Sequence, residues 1–188
     1  MTNIVPPAHQ SLHGHETPIP PCLPPGILLT AEVPSFHHEN EEYHFRINAI
    51  YQPFDRSNPV SLPPAKQLTL LRVYEDFYQF QINLLSALPR ESGREPPHPR
   101  IIPYTPGPFG GHVDRAVTAQ RRSELDTYLY GLCSLLKTSS WYILEHGLVA
   151  EFLSLRPGDV EGDIDPRVEE MRVLGQQEDR LVDPGTET

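Results

Sequence analysis

Proline locks φ and removes a backbone N–H, so it is kept out of helix interiors and central strands. This chain places 22 prolines in 188 residues, against a usual share of ~5%. Their distribution dictates where regular structure can lie. Eight stand before residue 41, eleven between Pro53 and Pro108, and none between residues 109 and 156. The proline-free stretch has room for an uninterrupted helical block. Before it, each strand or helix must fit between prolines, joined by Pro-rich loops.

The apolar periods fill those gaps. Ile27–Val33 is a short apolar segment and Ser35–Glu42 reads as a polar turn region. Tyr43, Phe45, Ile47, Ala49 and Tyr51 alternate with His44, Arg46 and Asn48, which predicts a strand with one buried face. Residues 52–66 carry four prolines and predict a long loop, and Leu68–Val73 a third strand. The period changes at Tyr74. Phe77, Phe80, Leu84, Leu85 and Leu88 follow helical spacing up to Pro89. Residues 89–109 form a second Pro-rich loop. A long helix is predicted from about Asp114 to Lys137, with Val117, Leu125, Tyr128, Leu129, Leu132, Leu135 and Leu136 on its inner stripe. Ser139 or Ser140 is placed to cap a short helix through Leu144, and Leu148–Leu153 is the last helix. Strands followed by helices predict an α+β fold: a three-stranded antiparallel sheet packed against a helical subdomain, with the Pro-rich loop between the first two long helices.

Charge and composition set the flanks. Residues 1–25 hold seven prolines and no apolar period, so they read as a disordered Pro-rich tail. Its run Pro18–Pro25 suits polyproline II, although no Lys or Arg occurs in the first 45 residues. Residues 161–188 carry three Arg against nine Asp and Glu and read as an acidic tail. Residues 27–160 are left as the domain. The net charge of −10 lies mostly in the tail, and a near-neutral middle excludes bulk electrostatic attraction to nucleic acid or to anionic membrane as a driving force, though not a local basic pocket. Two cysteines make no disulfide framework, which favours a reducing compartment. No apolar run approaches the ~18 residues of a membrane span. His13–Gly14–His15 and His37–His38 have no companion ligand pair, and no Gly-rich phosphate loop or G-x-S-x-G elbow occurs. Neither a metal, a cofactor nor an enzyme activity is expected.

Four motifs in order resemble a known family. Arg72–Val73–Tyr74–Glu75–Asp76–Phe77 is similar to the R-R-Y-x-D-F signature of phox-homology (PX) domains. Arg100–Ile101–Ile102–Pro103–Tyr104–Thr105–Pro106–Gly107–Pro108 resembles their Pro-rich loop. Arg121–Leu129 matches R-x-x-x-L-x-x-Y-L, and Phe152–Leu153 before Arg156–Pro157–Gly158–Asp159 is similar to the domain end. The nearest flavour is the subgroup of NADPH-oxidase organisers and the fungal bud-emergence polarity scaffold. The resemblance implies recruitment to cytoplasmic membrane faces through phosphoinositide or other anionic headgroups. Carried over by position, it implies Arg72, Tyr74, Arg121 and Arg122 as lipid-binding residues and Phe109 as a membrane wedge. Pro103 and Pro106 form a P-x-x-P that would serve an SH3-domain partner. Val73 stands where the family has its 3-phosphate arginine, and Phe109 follows Pro108 where the family usually has a lysine nearby. The expected function is accordingly weak or non-3-phosphate-specific phosphoinositide binding, with an SH3-partnered adaptor as the alternative.

Overall fold

The computed structural model describes residues 23–55, 57–58, 62–106 and 114–164. Strands β1 (Gly26–Glu39), β2 (Glu42–Pro53) and β3 (Lys66–Val73) lead into helix α1 (Tyr74–Ala87). Helix α2 (Arg115–Ser134) follows, then 3-10 turns at Leu135–Lys137 and Trp141–Glu145, helix α3 (Gly147–Leu153) and strand β4 (Val160–Asp163). The strands form one antiparallel sheet in the order β1-β2-β3-β4. The architecture is α+β, with four strands where the apolar pattern predicted three.

The fourth strand was invisible to periodicity because all four of its residues are exposed. It is held by backbone pairing to β3 and by Lys66, whose Nζ lies 2.9 Å from Glu161 and 2.8 Å from Asp163. The domain therefore runs past residue 160, into the segment assigned to the acidic tail. At the other end, packing begins before Ile27. Leu23 is buried, Tyr51 donates its hydroxyl to the Pro24 carbonyl at 2.7 Å, and Phe54 N–H donates to the Pro25 carbonyl at 2.8 Å. Leu23–Pro25 thus belong to the domain. Residues 1–22 and 165–188 lie outside the described residues.

β1 is also longer than its apolar segment. The expected turn at Ser35–Glu42 is mostly strand, and the chain reverses only at Asn40–Glu41, whose φ values are 50° and 67°. Positive φ at both central positions is what a two-residue hairpin requires. The alternation along β1 is broken by register shifts at Leu28/Thr30 and Glu32/Ser35. Pro34 sits in the second, where the missing N–H interrupts no ladder. There α2 replaces the ladder: Val33 N–H donates to Asp126 Oδ1 at 2.7 Å and the Val33 carbonyl accepts from Arg122 at 2.9 Å.

The core lies between the sheet and the helices. Phe45, Phe77, Phe80 and Phe152 form its aromatic centre, Phe80 stacked on Phe152 at 4.4 Å between ring centroids. Leu125, Leu129 and Leu132 of α2 close it from above. Thr118, seven residues before Leu125, continues that stripe, which leaves Val117 one position off and exposed. Asp114 caps α2 by accepting from Val117 N–H at 2.8 Å. No serine side chain caps the segment after α2, which is a 3-10 turn rather than a helix. Residues 88–106 contain neither helix nor strand, yet they are tied down. The Glu91 carbonyl accepts from both Ile101 and Ile102 N–H, and Ile102 is buried. Pro103 approaches α2 so closely that a Cβ on Gly131 would lie 3.3 Å from it.

Candidate functional site

The β3–α1 junction separates two neighbouring side chains. Strand alternation turns Arg72 inward, where its side chain is 0% exposed. It donates to the carbonyls of Phe152 (3.1 Å), Leu71 (2.8 Å) and Ser154 (2.7 Å) and to Asp159 at 2.8 Å. Asp159 also accepts from Leu71 N–H at 2.8 Å and Arg156 N–H at 2.9 Å. Arg156 continues to Asp76 at 2.9 Å, and Asp76 accepts from Val73 N–H at 3.0 Å. Val73 has no acceptor with which to cap α1, so Asp76 reaches back to the start of the helix instead. Burial pulls the Arg72 guanidinium down from the usual arginine range, and Asp159 opposes the shift. The expectation that Arg72 contacts a headgroup is therefore corrected: four of its donor contacts are internal, and it clamps the end of the domain to the sheet.

Tyr74 has the opposite fate. It opens α1 with its ring toward α2, and the Arg121 guanidinium lies over that ring, 4.5 Å from the centroid. The Tyr74 hydroxyl donates to the Pro106 carbonyl at 2.9 Å, so this stack touches the Pro-rich loop as well. Burial pushes the phenol up from its ordinary range, and the Arg121 charge opposes the shift. Tyr74 and Arg121 line a cleft of about 380 Å³ together with Val73 and Thr118. The hairpin tip walls it through Glu41, Glu42 and Tyr43, and Glu75 adds a third carboxylate beside Tyr74. Arg121 makes no ion pair or hydrogen bond among the described residues, so its donors are available to an anion.

The other expected site residues are dispersed. Arg122 points to the sheet and holds the Val33 carbonyl, so the neighbouring arginines do different work. Pro103 is half-buried against Gly131, while Pro106 and Tyr104 are exposed, with Arg100 over the Tyr104 ring at 5.1 Å. Phe109 lies outside the described residues. Sequence reasoning missed Gln81, which is 0% exposed. Its side-chain oxygen accepts from Thr105 N–H at 2.7 Å and its nitrogen donates to the Thr105 carbonyl at 2.9 Å. The signal was there: a polar residue one turn after Phe77 and one before Leu85 interrupts a buried stripe. Asp159 and the three acids around the cleft were missed because each is ordinary on its own. Among the described residues no group of three or more His, Cys, Asp or Glu could hold a metal, and no helix is long and apolar enough to cross a membrane.

A family model described as PX domain matches residues 60–156. Among curated proteins, protein scd2/ral3 of Schizosaccharomyces pombe is 32% identical over 134 residues, covering 71% of this chain and 22% of that protein. Human SH3 and PX domain-containing protein 2B is 30% identical over 118 residues, 61% of this chain and 12% of that protein. Mouse SH3 and PX domain-containing protein 2A is 34% identical over 95 residues, 49% of this chain and 8% of that protein. The chain spans less than a quarter of the length of each of these relatives.

Proposed function

The chain belongs to the PX domain family, and on that premise we propose that it is a non-enzymatic membrane-recruitment module that binds a phosphoinositide headgroup in the Tyr74–Arg121 cleft. Binding is weak and not specific for the 3-phosphate. The carrying observation is the Arg121 guanidinium, stacked on Tyr74 in an open cleft and without an internal anionic partner among the described residues. A phosphomonoester offers it several acceptors, and one charge-assisted hydrogen bond contributes roughly 1.5–3 kcal/mol. Val73 leaves no second arginine or lysine among the described residues that line the cleft, where His38 is the other basic side chain. The weakness follows from that: one such interaction forgone is a factor of about 30 in affinity. The module acts peripherally on the cytoplasmic face of a membrane, within a scaffold like the similar SH3-containing proteins.

Flotation of wild type and Arg121→Ala with phosphatidylcholine vesicles carrying single phosphoinositides tests this. Wild type is expected to float and Arg121→Ala to stay in the bottom fraction while melting at the same temperature. Equal flotation of the two would refute the site.

An adaptor role, with an SH3 domain on Pro103 and Pro106, is supported by the exposure of Pro106 and Tyr104. The grip of Gln81 on Thr105 and the packing of Pro103 on Gly131 oppose it, because an SH3 groove needs both prolines on one free face. SH3 capture that is lost in Pro103→Ala/Pro106→Ala would favour the adaptor; capture that persists would place any SH3 ligand elsewhere.

A further inference from the structure

Given the headgroup site proposed above, we infer that Glu41, Glu42 and Glu75 determine its specificity, admitting a headgroup with one phosphomonoester and rejecting those with two or more. The three carboxylates come from two elements that meet only in the fold. Glu41 and Glu42 lie at the β1–β2 reversal, and Glu75 follows Tyr74 in the first turn of α1. All three line the cleft. The hairpin tip that carries two of them is braced: His37 stacks on His44 at 5.5 Å, and His38 meets Tyr43 at 4.7 Å between ring centroids. The acidic wall is thus positioned by a tight turn and by cross-strand ring pairs.

None of the three carboxylates has a hydrogen bond or an ion pair among the described residues. Among the described residues the cleft wall thus carries three unpaired carboxylates beside the Arg121 guanidinium and the His38 imidazole. A phosphomonoester brings a charge of about −1.5 to −2. The first such group pairs with Arg121 over the Tyr74 ring. A second finds no further arginine or lysine among the described lining residues, since Val73 stands beside Tyr74; it meets the His38 imidazole and the carboxylates of the cleft wall. Glu41, Glu42 and Glu75 are exposed, so salt screens this repulsion and the discrimination is strongest at low ionic strength. Specificity here comes from an element that repels the competitor, as well as from one that attracts the ligand.

Vesicles of phosphatidylcholine doped with phosphatidylinositol mono-, bis- or trisphosphate separate the outcomes when wild type, Arg121→Ala and Glu41→Gln/Glu42→Gln/Glu75→Gln are floated in parallel. Wild type is expected to bind the monophosphates best. The triple variant should gain about tenfold on the bis- and trisphosphates, with a smaller gain on the monophosphates. The same order is expected when free inositol phosphates compete for the protein, which separates the cleft from the bilayer. A wild type that prefers the more highly phosphorylated lipids, a triple variant with unchanged preference, or an order seen on vesicles alone would each overturn the assignment. Binding that depends on Arg121 without discrimination among headgroups sinks the acidic wall and leaves the site. Absence of flotation in wild type and triple variant alike sinks the site and the wall together.

Discussion

Replacing Asp159 with alanine should destabilise the domain severely, although Asp159 is far from Arg72 in sequence and unremarkable in a loop. The carboxylate is 1% exposed and its partner Arg72 0% exposed. Removing one partner of a buried ion pair leaves an uncompensated charge and costs roughly 3–5 kcal/mol. The Leu71 and Arg156 N–H groups lose their acceptor at the same time, so the upper part of that range is the better expectation. A domain of this size has about 5–15 kcal/mol of stability in total. At the usual unfolding entropy, 1 kcal/mol shifts its midpoint by about 3–4 °C. Thermal denaturation followed by circular dichroism should then show Asp159→Ala melting about 10–20 °C below wild type. Asp159→Asn, which keeps an acceptor and loses the charge, should fall between them. Urea unfolding should show a lower midpoint with an unchanged slope. A shift below about 3 °C for Asp159→Ala would refute the claim that Arg72 is a structural clamp and return it to the list of headgroup contacts.

Other outcomes follow from single contacts. Gln81→Leu keeps the volume of the buried stripe but strands both backbone groups of Thr105; a loss of about 1–3 kcal/mol and faster proteolysis between residues 99 and 106 are expected, and an unchanged cleavage rate would contradict the role given to Gln81. Val73→Arg places a second guanidinium at the cleft wall and should tighten binding to phosphatidylinositol 3-phosphate vesicles roughly tenfold or more; no gain would show that Val73 does not face the ligand. Burial pushes the Cys133 thiol up to about 12. The folded state therefore favours the neutral thiol, so this contribution is present below the unfolded thiol value of about 8.5 and is lost as pH rises toward 12. Peptide mass spectrometry should find Cys133 poorly alkylated by iodoacetamide at pH 8 in the native protein and fully alkylated in urea; rapid native labelling would contradict it.

Much of the fold was legible because the prolines left few arrangements open and the apolar periods filled the gaps. The helices came through best: Phe77, Phe80, Leu84 and Leu85 mark α1 without ambiguity, and Leu125, Leu129 and Leu132 mark α2. Strands were less legible where backbone pairing alone makes them. β4 buries no side chain, so no hydrophobic pattern could reveal it. The far half of β1 was concealed by a bulge that shifts the register, with a proline in the middle of it. For the candidate site, motif matching could not separate neighbours. Arg72 and Tyr74 are two residues apart, yet one is buried against Asp159 and the other opens on the cleft. Arg121 and Arg122 differ in the same way, because consecutive residues on a helix are about 100° apart and only one can face the cleft. The acidic wall was illegible for a different reason: Glu41 and Glu75 are brought together only by the tertiary fold.

The proposed function rests on Tyr74 and Arg121 forming the headgroup-binding surface. Titration of isotopically labelled protein with a short-chain, soluble phosphatidylinositol monophosphate, followed by 1H–15N NMR, tests it residue by residue. The largest shifts should fall on the Arg121 side-chain N–H signals and on the amides of Tyr74, Glu75 and the Glu41–Glu42 turn, with Arg72 and Arg156 unmoved. Shifts centred on the Arg72–Asp159 junction, or none at the Arg121 side chain at saturating lipid, would contradict it.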